Sequence, residues 1–281
     1  MKQEIIQKIE QQIEAGIYPG ASFAYYQNGS WSDWYFGNSN PETGEKTREG
    51  LIYDLASVTK VVGVGTVLTF LWQEGKLDID EPISTYLPQA TYPDISIRQL
   101  LTHVTDLDPF IPNRDQLTSD QLKEAMFHLQ RREKRTFLYS DVHFLLLGFM
   151  LEVYFKKNLD QIFQEEVFDP WEMRDTKFGP VSDAVPTVRG QKAGVVHDPK
   201  ARLLGKHAGS AGLFSTVKDL KIFLEHYLQD DFADGLSQNF SDLSDKERSL
   251  AWNLEGDWLD HTGYTGTFIM WNRKKQEAAI F

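Results

Sequence analysis

The sequence predicts an α+β fold: a mostly antiparallel sheet flanked by helices, built from both ends of the chain, with a helical lobe inserted between them. Three observations carry that expectation. Near the N-terminus two aromatic runs, ASFAYYQ and SWSDWYFGN, flank Asn28-Gly29, a strong hairpin signal. The middle third is mainly helical in pattern, with proline-marked joints. Strand character then returns in WNLEGDWLDH, TFIMWN and EAAIF. A repeating strand–helix alternation, which would argue for a doubly wound parallel sheet, is absent. Residues 1–281 therefore read as one domain, with a sheet lobe from about 1–75 plus 205–281 and a helical lobe from about 76–204.

The first segment, MKQEIIQKIEQQIEAG, places Ile5, Ile6, Ile9 and Ile13 on one helical face, so it reads as a docked amphipathic helix. Charges interrupt it throughout, unlike the apolar core of a secretion signal. As written the chain is expected in the cytoplasm, export remaining open if a leader has been removed. From Ser57, SVTKVVGVGTVLTFLWQEGKL reads as a long buried helix ending near Gly75. SIRQLLTH is a short helix, Ser119 can cap DQLKEAMFHL, and DVHFLLLGFMLEVYF and NLDQIFQEEVF are two more helices. The basic run Arg131-Arg132-Glu133-Lys134-Arg135 reads as a solvated helix end. Residues 180–212, rich in Gly and Pro, read as loop, and VKDLKIFLEHYL as a further helix.

Composition narrows the function. With 41% apolar and 25% charged residues over 281 positions, this is an ordinary globular chain with a substantial core. No stretch approaches the roughly 18 uninterrupted apolar residues of a membrane span. There are no cysteines, which excludes disulfides, thiolate zinc sites and cysteine nucleophiles. A net charge of −12 disfavours nucleic acid or an anionic membrane as partner. The histidines form no H-E-x-x-H or comparable pair, so neither a metal nor a cofactor is expected.

Ser57-Val58-Thr59-Lys60 is an S-x-x-K at the mouth of the buried helix. Residues three apart share a helix face, which brings the lysine amine to the serine hydroxyl. The helix N-terminus favours negative charge developing on that oxygen, and a desolvated lysine can lose its proton and act as base. Alone the motif is weak, since it arises by chance roughly once in a chain of this length. Without further support, an N-cap serine and a snorkelling lysine would be the better explanation. Two further motifs support the catalytic reading: Tyr139-Ser140-Asp141 precedes the most apolar helix, and His261-Thr262-Gly263 lies among the C-terminal strands. A rival nucleophile is Ser210 in Ala208-Gly209-Ser210-Ala211-Gly212, followed in order by Asp260 and His261. A nucleophile elbow needs a hydrophobic strand before the serine, and ARLLGKH is not one, so a turn of small residues is the better reading. The tryptophans read as core or pocket wall, and only Trp31, Trp34 and Trp252 are placed loosely enough to consider at a cleft.

In order, S-x-x-K, Y-S-[ND] and [KH]-T-G is the layout of the penicillin-recognising serine hydrolases. The sequence resembles the branch containing class C β-lactamases, DD-peptidases, D-aminopeptidases and related esterases. Pro19-Gly20-Ala21, Asp54-Leu55-Ala56-Ser57, Gly75-Lys76-Leu77-Asp78 with Tyr86-Leu87-Pro88, and Ile97 to His103 are similar to that branch. So are Ala211 to Thr216 leading into Lys218-Asp219-Leu220, and Val196-His197-Asp198 with Ala201. The resemblance covers nearly the whole chain. It implies the β-lactamase/transpeptidase-like fold and a serine hydrolase working through an acyl-enzyme on an ester or amide, D-amino-acid peptides and β-lactams included. The alternative is a catalytically idle penicillin-binding-protein-like module that binds cell-wall peptide or a protein partner. The implied roles are Ser57 as nucleophile, Lys60 and Tyr139 as proton carriers, and the N–H groups of Ser57 and Tyr264 as oxyanion donors. Asp141, His261, Thr262 and Gly263 would line the substrate pocket.

Four departures from the family pattern carry expectations of their own. His261 stands where many relatives have lysine, exchanging a fixed cation for a group expected to titrate near neutrality. Asp141 stands where asparagine is common, and its charge would favour the ammonium form of Lys60, shifting base duty towards Tyr139. Asp106 replaces a usual glycine in Val104-Thr105-Asp106-Leu107 and implies a different loop path, Asp tolerating positive φ better than most. EAAIF stops at Phe281 where relatives add a terminal helix, so an apolar sheet face is expected to remain open for self-association.

Overall fold

The computed structural model describes residues 2–187, 191–243 and 246–281. Helix α1 (Lys2–Glu14) lays Ile5, Ile6, Ile9 and Ile13 against an aromatic sheet face that includes Phe23, Tyr25, Trp34 and Phe36. Strands β1 (Gly20–Gln27) and β2 (Ser30–Asn40) form the expected hairpin, in register from Gly20↔Gly37 to Gln27↔Ser30. Its turn residues Asn28 and Gly29 are both left-handed, φ 55° and 77°, which is why Asn-Gly suits the position. The short strands β3 (Glu45–Lys46) and β4 (Ile52–Asp54) then lead to Ser57.

The helix predicted from Ser57 is present but not uniform. A 3₁₀ turn (Ala56–Val58) gives way to a π-helical stretch (Val61–Gly65) and then to α2 (Thr66–Gln73), with Gly75 left-handed beyond it. The wide turn is stabilised by Thr66, whose Oγ1 donates to the Val61 carbonyl at 2.7 Å. Its glycines admit neighbours: a Cβ on Gly63 would overlap the Phe163 ring, and one on Gly65 would lie 2.7 Å from Ala251 Cβ.

Helix α3 (Ile97–Leu101) begins with a capping box on Ser96, and strand β5 (Val104–Leu107) follows. Helix α4 (Ser119–Phe127) is capped by Thr118 rather than Ser119, because Thr118 and Gln121 close a reciprocal box. The basic run is not a helix end. It forms strand β6 (Arg131–Phe137), paired with β5 through Val104↔Phe137 and Leu107↔Arg131. Arg131 is held by Asp94 and Asp106, and Arg132 donates to the carbonyls of Thr105 and Leu107. Asp106 thus sits in a strand as an ion-pair partner; the left-handed residue of this segment is His103, φ 59°.

Helix α5 (Asp141–Phe155) is buried from Val142 to Leu151, and α6 (Leu159–Phe163) packs beside it. After β7 (Lys177–Phe178), the segment read as loop contains a further helix, α7 (Pro199–Leu204). Asp198 caps it and Pro199 supplies its first turn, a device too short to show as periodicity. Residues 188–190 of that segment lie outside the described residues.

Strand β8 (Leu213–Thr216) pairs with β4 and β7, and α8 (Val217–Gln229) follows, capped by Thr216. The last strands are β9 (Asn253–Glu255), β10 (Trp258–Thr262), β11 (Phe268–Asn272) and β12 (Glu277–Ile280). The main sheet runs β3-β2-β1-β12-β11-β10-β9, all neighbours antiparallel. Ala24 pairs with Ile280, so the two ends of the chain meet at its centre. Among the described residues no helix is long and apolar enough to cross a membrane.

Ile9 is the most buried residue of α1, so Ile9→Ala should remove about 2–4 kcal/mol by opening a cavity under the helix. Urea unfolding measures this loss, and serine-directed labelling of the folded protein should be unchanged.

Candidate active site

The site begins at the end of β4, where Asp54 organises a tight turn. Its Oδ1 accepts the Ala56 N–H at 2.8 Å and its Oδ2 the His197 N–H at 2.9 Å. Ala56 is left-handed, φ 47°, a conformation that costs a residue with a Cβ roughly 1–2 kcal/mol. The turn between β10 and β11 is laced to this strained segment. Thr265 Oγ1 donates to the Asp54 carbonyl at 2.7 Å and Thr267 Oγ1 to that of Leu55 at 3.0 Å. Gly263 makes the approach feasible, since a Cβ there would lie 2.7 Å from the Leu55 carbonyl oxygen.

Ser57 lies within this turn and Lys60 one helical turn on. The Lys60 Nζ donates to Ser57 Oγ at 2.9 Å, to Asp141 Oδ1 at 2.8 Å and to the Ser210 carbonyl at 2.9 Å. Lys60 is 0% exposed, and these three acceptors match its three N–H donors. Asp141 stands at the first turn of α5, with Ser140 as N-cap. Its second oxygen, Oδ2, is 3.1 Å from Lys200 Nζ, and Lys200 also reaches Asp198 Oδ2 at 3.1 Å. Burial pushes the Asp141 carboxyl up, but Lys60 and Lys200 outweigh it and hold the group well below the usual carboxylate range. The two lysines thus favour the ionised form of Asp141.

Tyr139 is 43% exposed, with its ring centroid 5.1 Å from Lys60 Nζ. The ring lies between His103 and His261, at centroid distances of 4.6 and 6.1 Å. Among the described residues no hydrogen bond joins its hydroxyl to Ser57 or Lys60. Thr262 is exposed at the end of β10, and Tyr264, 86% exposed, stacks its ring on His197 at 5.4 Å.

His261 departs from expectation. Strand alternation turns Thr262 outwards and His261 inwards, where it is buried and its Nδ1–H donates to the Thr262 carbonyl at 2.9 Å. Burial, reinforced by the charges of Lys60 and Arg248, pushes the imidazole down to about 3. It is a neutral floor residue, not a group titrating near neutrality. Behind it, His103 and His143 share an Nδ1–Nδ1 hydrogen bond of 2.9 Å, and burial drives His143 down to about 3 and His103 well below its ordinary range. Ser210 is fully buried and gives the site its carbonyl, which overturns its candidacy as nucleophile. The tryptophans are elsewhere: Trp252 packs in the core on Trp271, Trp31 donates to Glu225, and Trp34 stacks on Phe23 under α1.

Two site residues escaped the sequence reading. Lys200 follows the His197-Asp198 pair that resembles a family segment, but only the fold shows that it meets Asp141. Arg248 is fully buried beside Phe137, donating to Asn253 and to the Ala251 carbonyl, and burial lowers it to about 10. Nothing in its local sequence signals that position.

The sequence profile of the Beta-lactamase family matches residues 5–281. The chain belongs to that family. It is accordingly a serine hydrolase with the β-lactamase/transpeptidase-like fold. A protein of Escherichia coli K12 named "Putative D-alanyl-D-alanine carboxypeptidase" is 27% identical, the match covering 92% of this chain and 76% of that one. A namesake from Salmonella gallinarum is 25% identical over 92% and 77%. The fold matches the β-lactamase/D-alanine carboxypeptidase of Pseudomonas syringae with a TM-score of 0.79, at 16% identity over 99% of this chain and 92% of that one. It also matches the octameric penicillin-binding protein homologue of Pyrococcus abyssi, TM-score 0.75, at 16% identity over 99% and 72%.

The neutral histidine cluster should make this family member acid-labile. His143 and His261 are neutral in the native state down to about pH 3, whereas in the unfolded chain they take up protons near pH 6.5. The unfolded state therefore binds more protons as pH falls, and stability is lost from about pH 6.5 towards 3, at up to ~1.4 kcal/mol per pH unit for each. Thermal melts followed by circular dichroism should show this decline, and His261→Asn should make it shallower.

Proposed function

We propose that the chain hydrolyses an ester or amide bond by acylating Ser57. The observation that carries this reading is the 2.9 Å contact between Ser57 Oγ and a fully buried Lys60. Ser57 Oγ attacks the carbonyl carbon while its proton passes to the Lys60–Tyr139 pair. The N–H groups of Ser57 and Tyr264 receive the oxyanion. The adduct collapses, the leaving alcohol or amine takes the proton, and a water then attacks the acyl-enzyme, restoring Ser57 and releasing the acid. The dense contacts between the turn at Tyr264 and the Asp54–Leu55 backbone support this, because oxyanion donors act best when fixed in advance. Thr262, on the exposed side of β10, orients the bound substrate.

The names of the relatives make peptides ending in D-alanine the first substrates to try, beside simple esters and β-lactams. The intact Ser57–Lys60 contact argues against an idle binding module. Intact-mass analysis after treatment with a fluorescent phosphonate should show one adduct on the wild type and none on Ser57→Ala. An adduct retained by that variant would refute the mechanism.

We propose a second copy of the chain as partner, because Trp34, Phe36, Met270 and Phe281, packed on the cluster between α1 and the sheet, remain only partly buried. Sedimentation velocity should show mass rising with concentration; a monomer at every concentration removes this partner.

A further inference from the structure

Residues 197–200 touch all three parts of the site. The His197 N–H holds Asp54 at 2.9 Å, and its ring stacks within 9° of parallel on Tyr264. Asp198 caps α7 with one oxygen and receives Lys200 with the other. Lys200, mostly buried, crosses to Asp141. A row of alternating charge results, Lys60, Asp141, Lys200 and Asp198, with Ser57 at its head.

We propose that Lys200 is a positioning residue for the Ser57–Lys60 pair: by holding the second oxygen of Asp141 it divides that carboxylate between two ammonium groups and so lets Lys60 release its proton. The proposal rests on Ser57 being the nucleophile. An ionised carboxylate in contact with an ammonium group favours its charged form. With Asp141 serving Lys60 alone, that effect would oppose any use of Lys60 as base. A second ammonium group on the same carboxylate offsets it.

The other groups around Lys60 leave few alternatives. Its own helix presents Ser57, α5 presents Asp141 and His143, and the segment before α5 presents Tyr139. His103 and the strand residue His261 complete the surround, with Arg248 behind them. The three imidazoles are held neutral by burial. Arg248 is fixed on Asn253 and the Ala251 carbonyl. The charges that act on Lys60 through direct contacts are therefore Asp141 and, through it, Lys200 with Asp198. Burial pulls Lys200 down, but Asp141 and Asp198 outweigh it and keep it charged.

The test is the rate of Ser57 acylation by a fluorophosphonate as a function of pH. In Lys200→Met the rising limb should move to higher pH by about one unit, the low end of the effect of a nearby charge. Lys200→Arg should keep the wild-type profile, and Asp141→Asn should move the limb to lower pH. A mere tie between segments would lower the rate equally at every pH. A limb unmoved in Lys200→Met overturns the proposal; if that variant does not fold, a limb that fails to move down in Asp141→Asn does so instead. A wild type that takes no phosphonate overturns the Ser57 reading, and this proposal with it.

Discussion

The amine head of Lys60 has no access to solvent, and taking so polar a group out of water costs several kcal/mol unless every donor finds an acceptor in good geometry. The acceptors come from distant parts of the chain: Ser57 from the turn after β4, Asp141 from the head of α5, and the Ser210 carbonyl from the turn before β8. All must be assembled before the lysine is satisfied. Both chain ends close one sheet, α5 packs against the π-helical stretch after Ser57, and Gly148 and Gly209 let that helix and the Ser210 turn approach closely. The requirement of one buried lysine therefore ties the sheet and the helices into a single arrangement.

What the sequence made legible were features with a local signature. Asn28-Gly29 needs two left-handed residues, α1 shows its isoleucine face, and α5 is apolar all round, so each could be read without the rest of the chain. The β5–β6 ribbon could not. Its charged strand lacks apolar alternation and is held by Asp94, Asp106 and backbone carbonyls rather than by a hydrophobic face. The π-helical stretch was equally hidden, because the neighbours its two glycines admit, Phe163 and Ala251, lie far along the chain.

The same division runs through the site. Ser57, Lys60 and Asp141 could be placed together from spacing and motif order, and they do meet. The orientation of His261 could not, because one residue of register decides whether a strand side chain faces the cleft or the interior. Chemical identity suggested a pH-responsive anchor, and burial makes it a neutral floor. Lys200 was illegible for a different reason: only the path of residues 197–200 across Asp54, Tyr264 and Asp141 brings it within reach.

These placements give the cleft an electrostatic asymmetry. The helical side carries the alternating row from Lys60 to Asp198, whereas the sheet side presents neutral His261 and, behind it, Arg248 fixed to uncharged oxygens. Under the proposed mechanism, a carbonyl oxygen gaining charge near Tyr264 would meet backbone dipoles there, not a mobile cation. Dipoles fixed by the Thr265 and Thr267 contacts need no reorganisation as that charge grows, and they do not titrate. The charged groups of the cleft that can answer to pH in this range of contacts lie on the helical side, where Asp141 joins the two lysines. Among the described residues β10 turns Thr262, not a cation, to its exposed face, so under the proposed mechanism a substrate would meet neutral hydrogen bonding there.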